Sequence, residues 1–297
     1  MRLARGFTLV EVAVVMTIVA FLLVSLMFTF SAQVDQRNID ETRRRLDQAR
    51  ELVLSFAIVN GRLPCPARWT SSVSNSGGLE SFCPAAATSS TSACVGTETT
   101  TKPTAPEHGS CSNFYDGYLP AAAIGYAPSD QSGYALDAWG NRIRYAAART
   151  IASGTCSGTT SPPNLYTTMF TSKTYLSQYG MTCQPDGLLV CKTFSDTGLG
   201  PVTGSSCGGA ANQVMSQSLL GAIIFSTGKN GATSGGTGND ESVNVKTNAT
   251  LSPQINPIFI YHPPTPTTAS NGEFDDQFTW ITIGELYGKL IAAGVLP

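Results

Sequence analysis

The chain opens on an apolar run with almost no interruption. From Phe7 to Phe30 there are 24 residues with one charge, Glu11, and from Val12 to Phe30 there are 19 with none. A helix rises about 1.5 Å per residue, so either count reaches the roughly 30 Å of a bilayer core. The pattern then becomes amphipathic. Residues 31–60 contain neither Pro nor Gly, and Leu46, Ala49, Val53, Phe56 and Ala57 recur at helical spacing. This predicts one continuous helix with an apolar face in its second half. Asn60-Gly61 supplies the stop, with Pro64 beyond it. After Gly61 the periodicity shortens. Strands are predicted in "NRIRYAAA" (141–148), "GLLVCKTF" (187–194), "GAIIFST" (221–227) and "QFTWITI" (277–283), the last with the clearest alternation. A short C-terminal helix is predicted in "GELYGKLIAAG" (284–294). Residues 65–115 are Ser-, Thr-, Ala- and Pro-rich and show no period, as an irregular insertion would.

Charge and cysteine placement sharpen the division. Only 13% of residues are charged, about half the usual share. Ten of the seventeen residues from Asp35 to Glu51 are Asp, Glu or Arg, and the acids beside Arg43, Arg44 and Arg45 favour a salt-bridged face over a nucleic-acid patch. The net charge of −2 gives no argument for nucleic acid. Arg2 and Arg5 precede the apolar run, so the positive-inside rule leaves the N-terminus in the cytoplasm and exports the remainder. The eight cysteines, Cys65, Cys83, Cys94, Cys111, Cys156, Cys183, Cys191 and Cys207, all fall in the exported part, and none forms a C-x-x-C pair. An even number in an oxidising compartment reads as disulfides, with buried free thiols as the alternative, and the pairing is not legible.

The start of the chain has a more specific pattern. "RGFTLVE" resembles the cleavage and methylation signal of type IV pilins and type II secretion pseudopilins. The resemblance implies that prepilin peptidase cuts between Gly6 and Phe7, leaving an N-methylated Phe7 with Glu11 as the fifth mature residue. It also implies that Glu11 meets the N-terminal amine of a neighbouring subunit. The other reading of Glu11 is a carboxylate reaching the headgroups from a helix end. A plain signal anchor is the alternative to the whole motif. In the head, "LDAWGNRIRY" (136–145) resembles a segment of the major pseudopilins, with Ala138 in place of their proline. "FSTGKNGATSGGTGNDES" (225–242) resembles their glycine-rich stretch, with Asn230 where they carry an acid, and "FDDQFTWIT" (274–282) falls where they carry acids near a calcium loop. Asp240, Glu241, Asp275 and Asp276 are thus the candidate ligands for calcium, which takes six to eight oxygens. The other reading is that they are loop acids capping turns.

The expected architecture is α+β: a pilin fold, with a long N-terminal helix, membrane-spanning in its first half, packed on an antiparallel sheet in a head with disulfide-stapled loops. Its expected parts are a leader (1–6), a transmembrane helix (7–30), its amphipathic continuation (31–60) and a periplasmic or extracellular head (61–297). The expected function is that of a structural subunit, pseudopilin or minor pilin, held in the inner membrane before joining a filament. Its partners would be other subunits, prepilin peptidase and the inner-membrane assembly platform, and calcium is the one cofactor suggested. A pilus-tip adhesin or uptake receptor using the Cys-rich insertion is the second reading. An enzyme is not expected. "STGKNG" departs from the phosphate-loop pattern, and neither His108 nor His262 accompanies a G-x-S-x-G. Trp139 is expected in the core.

Overall fold

A computed structural model describes residues 8–67, 77–82, 111–150, 169–180, 182–185, 187–196, 200–201, 206–231, 238–246 and 256–296. The expected leader, Gly6 and Phe7, and Cys83, Cys94 and Cys156, lie outside them. The chain forms two units, Met1–Glu41 and Thr42–Pro297.

In the first unit, helix α1 (Leu9–Asn60) begins, and every side chain described from Thr8 to Val24 is exposed, Leu9 by 86% and Phe21 by 75%. Among the described residues of this unit the apolar side chains stand exposed, and the helix is held by its own backbone bonds. Among the described residues no helix is long and apolar enough to cross a membrane, and the side chains of 25–32 are not among those described. The expected span of 7–30 includes Phe7 and the side chains of 25–30, which lie outside those described.

In the second unit, the amphipathic face of α1 is buried as its spacing predicts. Thr42, Leu46, Ala49, Val53, Leu54 and Ala57 are 0–2% exposed, and Phe56 packs at the margin. Gly61 ends the helix at φ +67°, a conformation that costs glycine nothing, and its N–H closes on Ala57 O at 2.8 Å. Four strands, β1 (Gly117–Tyr118), β2 (Arg144–Ala147), β5 (Leu220–Ser226) and β7 (Gln277–Thr282), form an antiparallel sheet in the order β1-β2-β5-β7. The central strands β2 and β5 are buried on both faces, as their unbroken apolar sequences require. At the edge, β7 buries only Ile281; its alternation is blurred because Phe278 is covered as well, stacked on Phe225 at 4.8 Å and edge-on to Tyr261.

Strands β3 (Leu189–Cys191), β4 (Gln213–Met215) and β6 (Ile258–Ile260) form a second sheet in the order β4-β3-β6, with β3 parallel to β6. The element α5 (Ile283–Ala292) is the expected C-terminal helix, capped by Thr282. The short helices α2 (Ala121–Ile124), α3 (Lys173–Tyr179) and α4 (Asn239–Asn244) were not legible as helices. The fold is thus α+β, with an N-terminal helix and an antiparallel sheet, consistent with a pilin-like arrangement.

Disulfides appear, as the even number of cysteines after Gly61 predicts. Cys65–Cys111 ties the exit of α1 to the chain before β1, beside the buried pair Arg62–Glu80 at 2.6 Å. Cys191–Cys207 staples β3 within a small core of Leu189, Val243, Ile258, Ile260 and Phe274. Cys183 is disulfide-bonded too. Among the described residues no cysteine is free.

Candidate functional site

Glu11 sits at the third position of α1, and the sequence dictates its local role. Thr8 precedes the helix, and its N–H and hydroxyl both donate to Glu11 Oε2, at 2.9 and 3.0 Å, while Glu11 N–H donates back to Thr8 Oγ1 at 3.3 Å. This is a capping box, which satisfies donors that the first turn leaves without partners. The motif Thr8-x-x-Glu11 before an apolar run is its sequence signature. Both bonds fall on one carboxylate oxygen; Oε1 takes none from the described residues.

The head holds a buried group of acids. Glu241, Asp275 and Asp276 each offer an oxygen, and these atoms lie within 4.8 Å of one another. Glu241, 0% exposed, projects from the first turn of α4, where Gly238 N–H donates to Oε2 at 3.3 Å. Asn230 Nδ2 donates to both of its oxygens, at 3.2 and 3.0 Å, and Asp275 N–H reaches Oε1 at 2.8 Å. The two aspartates stand just before β7. Asp275 Oδ2 accepts from the N–H groups of Lys229 and Asn230, at 2.8 and 3.3 Å, and Asp276 Oδ2 accepts from Asn244 Nδ2 at 2.7 Å. The remaining oxygens, Asp275 Oδ1 and Asp276 Oδ1, are buried with no hydrogen-bond partner. Burial first, and then the charge of Glu241, pushes the Asp275 carboxyl up to about 7. Burial pushes Asp276 well above its ordinary value; the bond from Asn244 opposes this, and the charges of Glu241 and Asp275 add to it.

Such an arrangement fits a hard divalent cation. Calcium binds oxygens at 2.3–2.6 Å, so two of its ligands stand at most about 5 Å apart, and the three carboxylates satisfy that limit. A buried carboxylate oxygen without a donor costs free energy that a cation removes.

Asp240, the fourth of the expected ligands, is not among the three acids that converge. It points to the other side of α4, where Oδ1 accepts from Phe194 N–H at 2.5 Å and Oδ2 from Asn271 Nδ2 at 3.1 Å. Consecutive residues of a helix lie about 100° apart, so the helical 239–244 segment turns the neighbours Asp240 and Glu241 in different directions. His262 Nε2 approaches Asp240 Oδ2 at 3.3 Å and its ring lies 4.0 Å from that of Phe274. Burial works against the charged imidazole, but the Asp240 bond and charge raise its pKa above the ordinary value. This pair was invisible in sequence. Trp139 is half-buried with Nε1 unbonded, not a core residue, because it stands on the turn that Asp137 folds.

Residues 1–27 match the family model for the prokaryotic N-terminal methylation motif. The chain carries that motif. It is typical of type IV pilins and pseudopilins and supports a precursor of that kind, a structural type of protein. No curated protein and no solved structure matches the chain. The methylation motif contains both Thr8 and Glu11, so the capping box described above is built from its residues.

Proposed function

We propose that this chain is a filament subunit, a pseudopilin or minor pilin of a type II secretion pseudopilus or type IV pilus. Prepilin peptidase removes Met1 to Gly6, Phe7 becomes the methylated N-terminus, and residues 7–30 hold the subunit in the inner membrane with its head outside the cytoplasm. The assembly platform then lifts it into a helical filament. The observation that carries this reading is the methylation motif at 1–27, with the exposed apolar side chains of 9–24 as the surface that lipid and then neighbouring helices cover.

Glu11 serves two purposes in this reading. Oε2 caps its own helix, and Oε1 is left for the N-terminal amine of the next subunit, which fixes axial register among otherwise equivalent slides of apolar helices. Two substitutions separate the purposes. Glu11→Gln retains a capping-box side chain but drops the charge, whereas Glu11→Leu loses both. Both variants should reach the membrane and be processed, and both should be depleted about tenfold or more in sheared filaments, the size of a lost 1.4 kcal/mol preference or greater. Normal filament entry by Glu11→Gln would leave Glu11 only its cap.

In the head, Glu241, Asp275 and Asp276 are proposed to hold calcium, supported by the two unpartnered buried oxygens. The ion would supply fixed positive charge, joining α4 to the segment before β7; loop carbonyls or water would complete its shell.

A further inference from the structure

The Ser226–Gly231 turn carries the N–H groups of Lys229 and Asn230 that hold Asp275 Oδ2. It is gripped equally firmly from the opposite side. Ser226 Oγ donates to Asp137 Oδ2 at 2.5 Å and accepts from Gly228 N–H at 3.1 Å, and Asn141 Nδ2 donates to Gly228 O at 2.6 Å. Asp137 is 2% exposed. Its other oxygen, Oδ1, accepts from the N–H groups of Trp139 and Asn141, at 2.9 and 2.7 Å, and so folds the 136–141 loop around itself. That loop is where α1 is fastened. Ala138 N–H donates to Thr42 Oγ1 at 3.1 Å, and Arg45 Nη1 donates to Leu136 O and Asp137 O, at 3.2 and 2.6 Å. There is no slack at the turn itself: Gly228 has φ +65°, and a Cβ there would stand 2.1 Å from Asp275 Oδ1.

We propose that Asp137 is a positioning residue that couples the acidic cluster to helix α1. A cation held by Glu241, Asp275 and Asp276 fixes the Ser226–Gly231 turn, and Asp137 passes that order to the Thr42–Ala49 stretch of α1. The inference rests on the cation reading of the cluster. Its function would be to make the docked part of the helix firm only when the head is loaded, so that a filament is built from loaded subunits. Coupling between two sites is reciprocal in binding free energy, so loosening α1 must weaken cation binding.

The test uses the full-length chain in detergent, calcium chloride as the probe, calorimetry for affinity, and hydrogen exchange of peptides covering Thr42–Ala49. In the wild type, calcium should slow exchange there about fivefold or more, the lower end of ordinary coupling. Arg45→Ala lies on α1, away from the ligands, and should weaken calcium affinity by the same factor while abolishing the calcium dependence of exchange. Ser226→Ala, which cuts the link between Asp137 and the turn, should do the same. A purely structural Asp137 would lower thermal stability in both variants and leave calcium affinity unmoved. Calcium bound by wild type with unchanged affinity in both variants overturns the coupling and leaves the cation reading intact. No calcium binding by wild type overturns the cation reading, and the coupling with it.

Discussion

Glu11 and Glu241 occupy the same local position and meet different fates. Each is the third residue of its helix, and each accepts a hydrogen bond from the backbone N–H of the residue that caps that helix, Thr8 at 2.9 Å and Gly238 at 3.3 Å. Glu11 stands exposed, with partners drawn from its own turn. Glu241 is fully buried, and Asp275 and Asp276 are brought to it from more than thirty residues away. Local rules place both carboxylates; long-range packing decides which becomes part of a charge cluster. In the proposed function the exposed acid finds its partner on another subunit and the buried one in a cation.

The largest effect expected from breaking this comparison falls on the head. Replacing Cys65 and Cys111 by Ala should destabilise it by about 2–5 kcal/mol in chemical denaturation, while helicity of the first unit is unchanged. Equal loss in both units would mean that they do not fold separately. Thiol alkylation of the unreduced native chain should label few of the eight cysteines.

The head also shows where sequence reasoning stops. The end of α1 at Gly61, strands β2, β3, β5 and β7 and helix α5 were legible because each follows from a local period or a stop signal. Strands β4 and β6 were not: β4 is a short segment between the polar Asn212 and Ser216, and β6 is preceded by Asn256-Pro257. At the N-terminus the methylation motif was legible because its residues are contiguous in sequence. Of the four head acids, Glu241, Asp275 and Asp276 converge and Asp240 departs. That separation depends on α4 being helical, which a Gly-Asn-Asp-Glu-Ser sequence does not advertise.

A second, smaller effect concerns pH. Asp275 has an ordinary value of 3.8 and is raised to about 7 in the cation-free fold, and Asp276 is raised in the same direction. A raised carboxyl binds its proton more tightly folded than unfolded, so its contribution is fully present below about pH 4 and is lost as pH rises through about 7. With chelator present, the melting temperature of the head should therefore fall between pH 5 and pH 7.5. Calcium should raise it more at pH 7.5 than at pH 5. A chelated head that becomes more stable as pH rises over this interval would contradict the buried-cluster account.

The smallest effect is at the helix start. Thr8→Ala removes the capping hydroxyl, worth about 1 kcal/mol at a typical N-cap. It should fray the first turn, seen as faster hydrogen exchange near Glu11, without the filament loss expected of Glu11→Gln. Filament loss as severe as that of Glu11→Gln would make the cap, rather than the charge, the assembly determinant.

The most direct test of the central claim is the mass of the N-terminal peptide from the sheared filament fraction. The account predicts Phe7 as the first residue, N-methylated, with Met1 to Gly6 gone and the formal charge moved from −2 to −4 by loss of Arg2 and Arg5. A chain recovered with Met1 intact, or cut after residue 30, would contradict it.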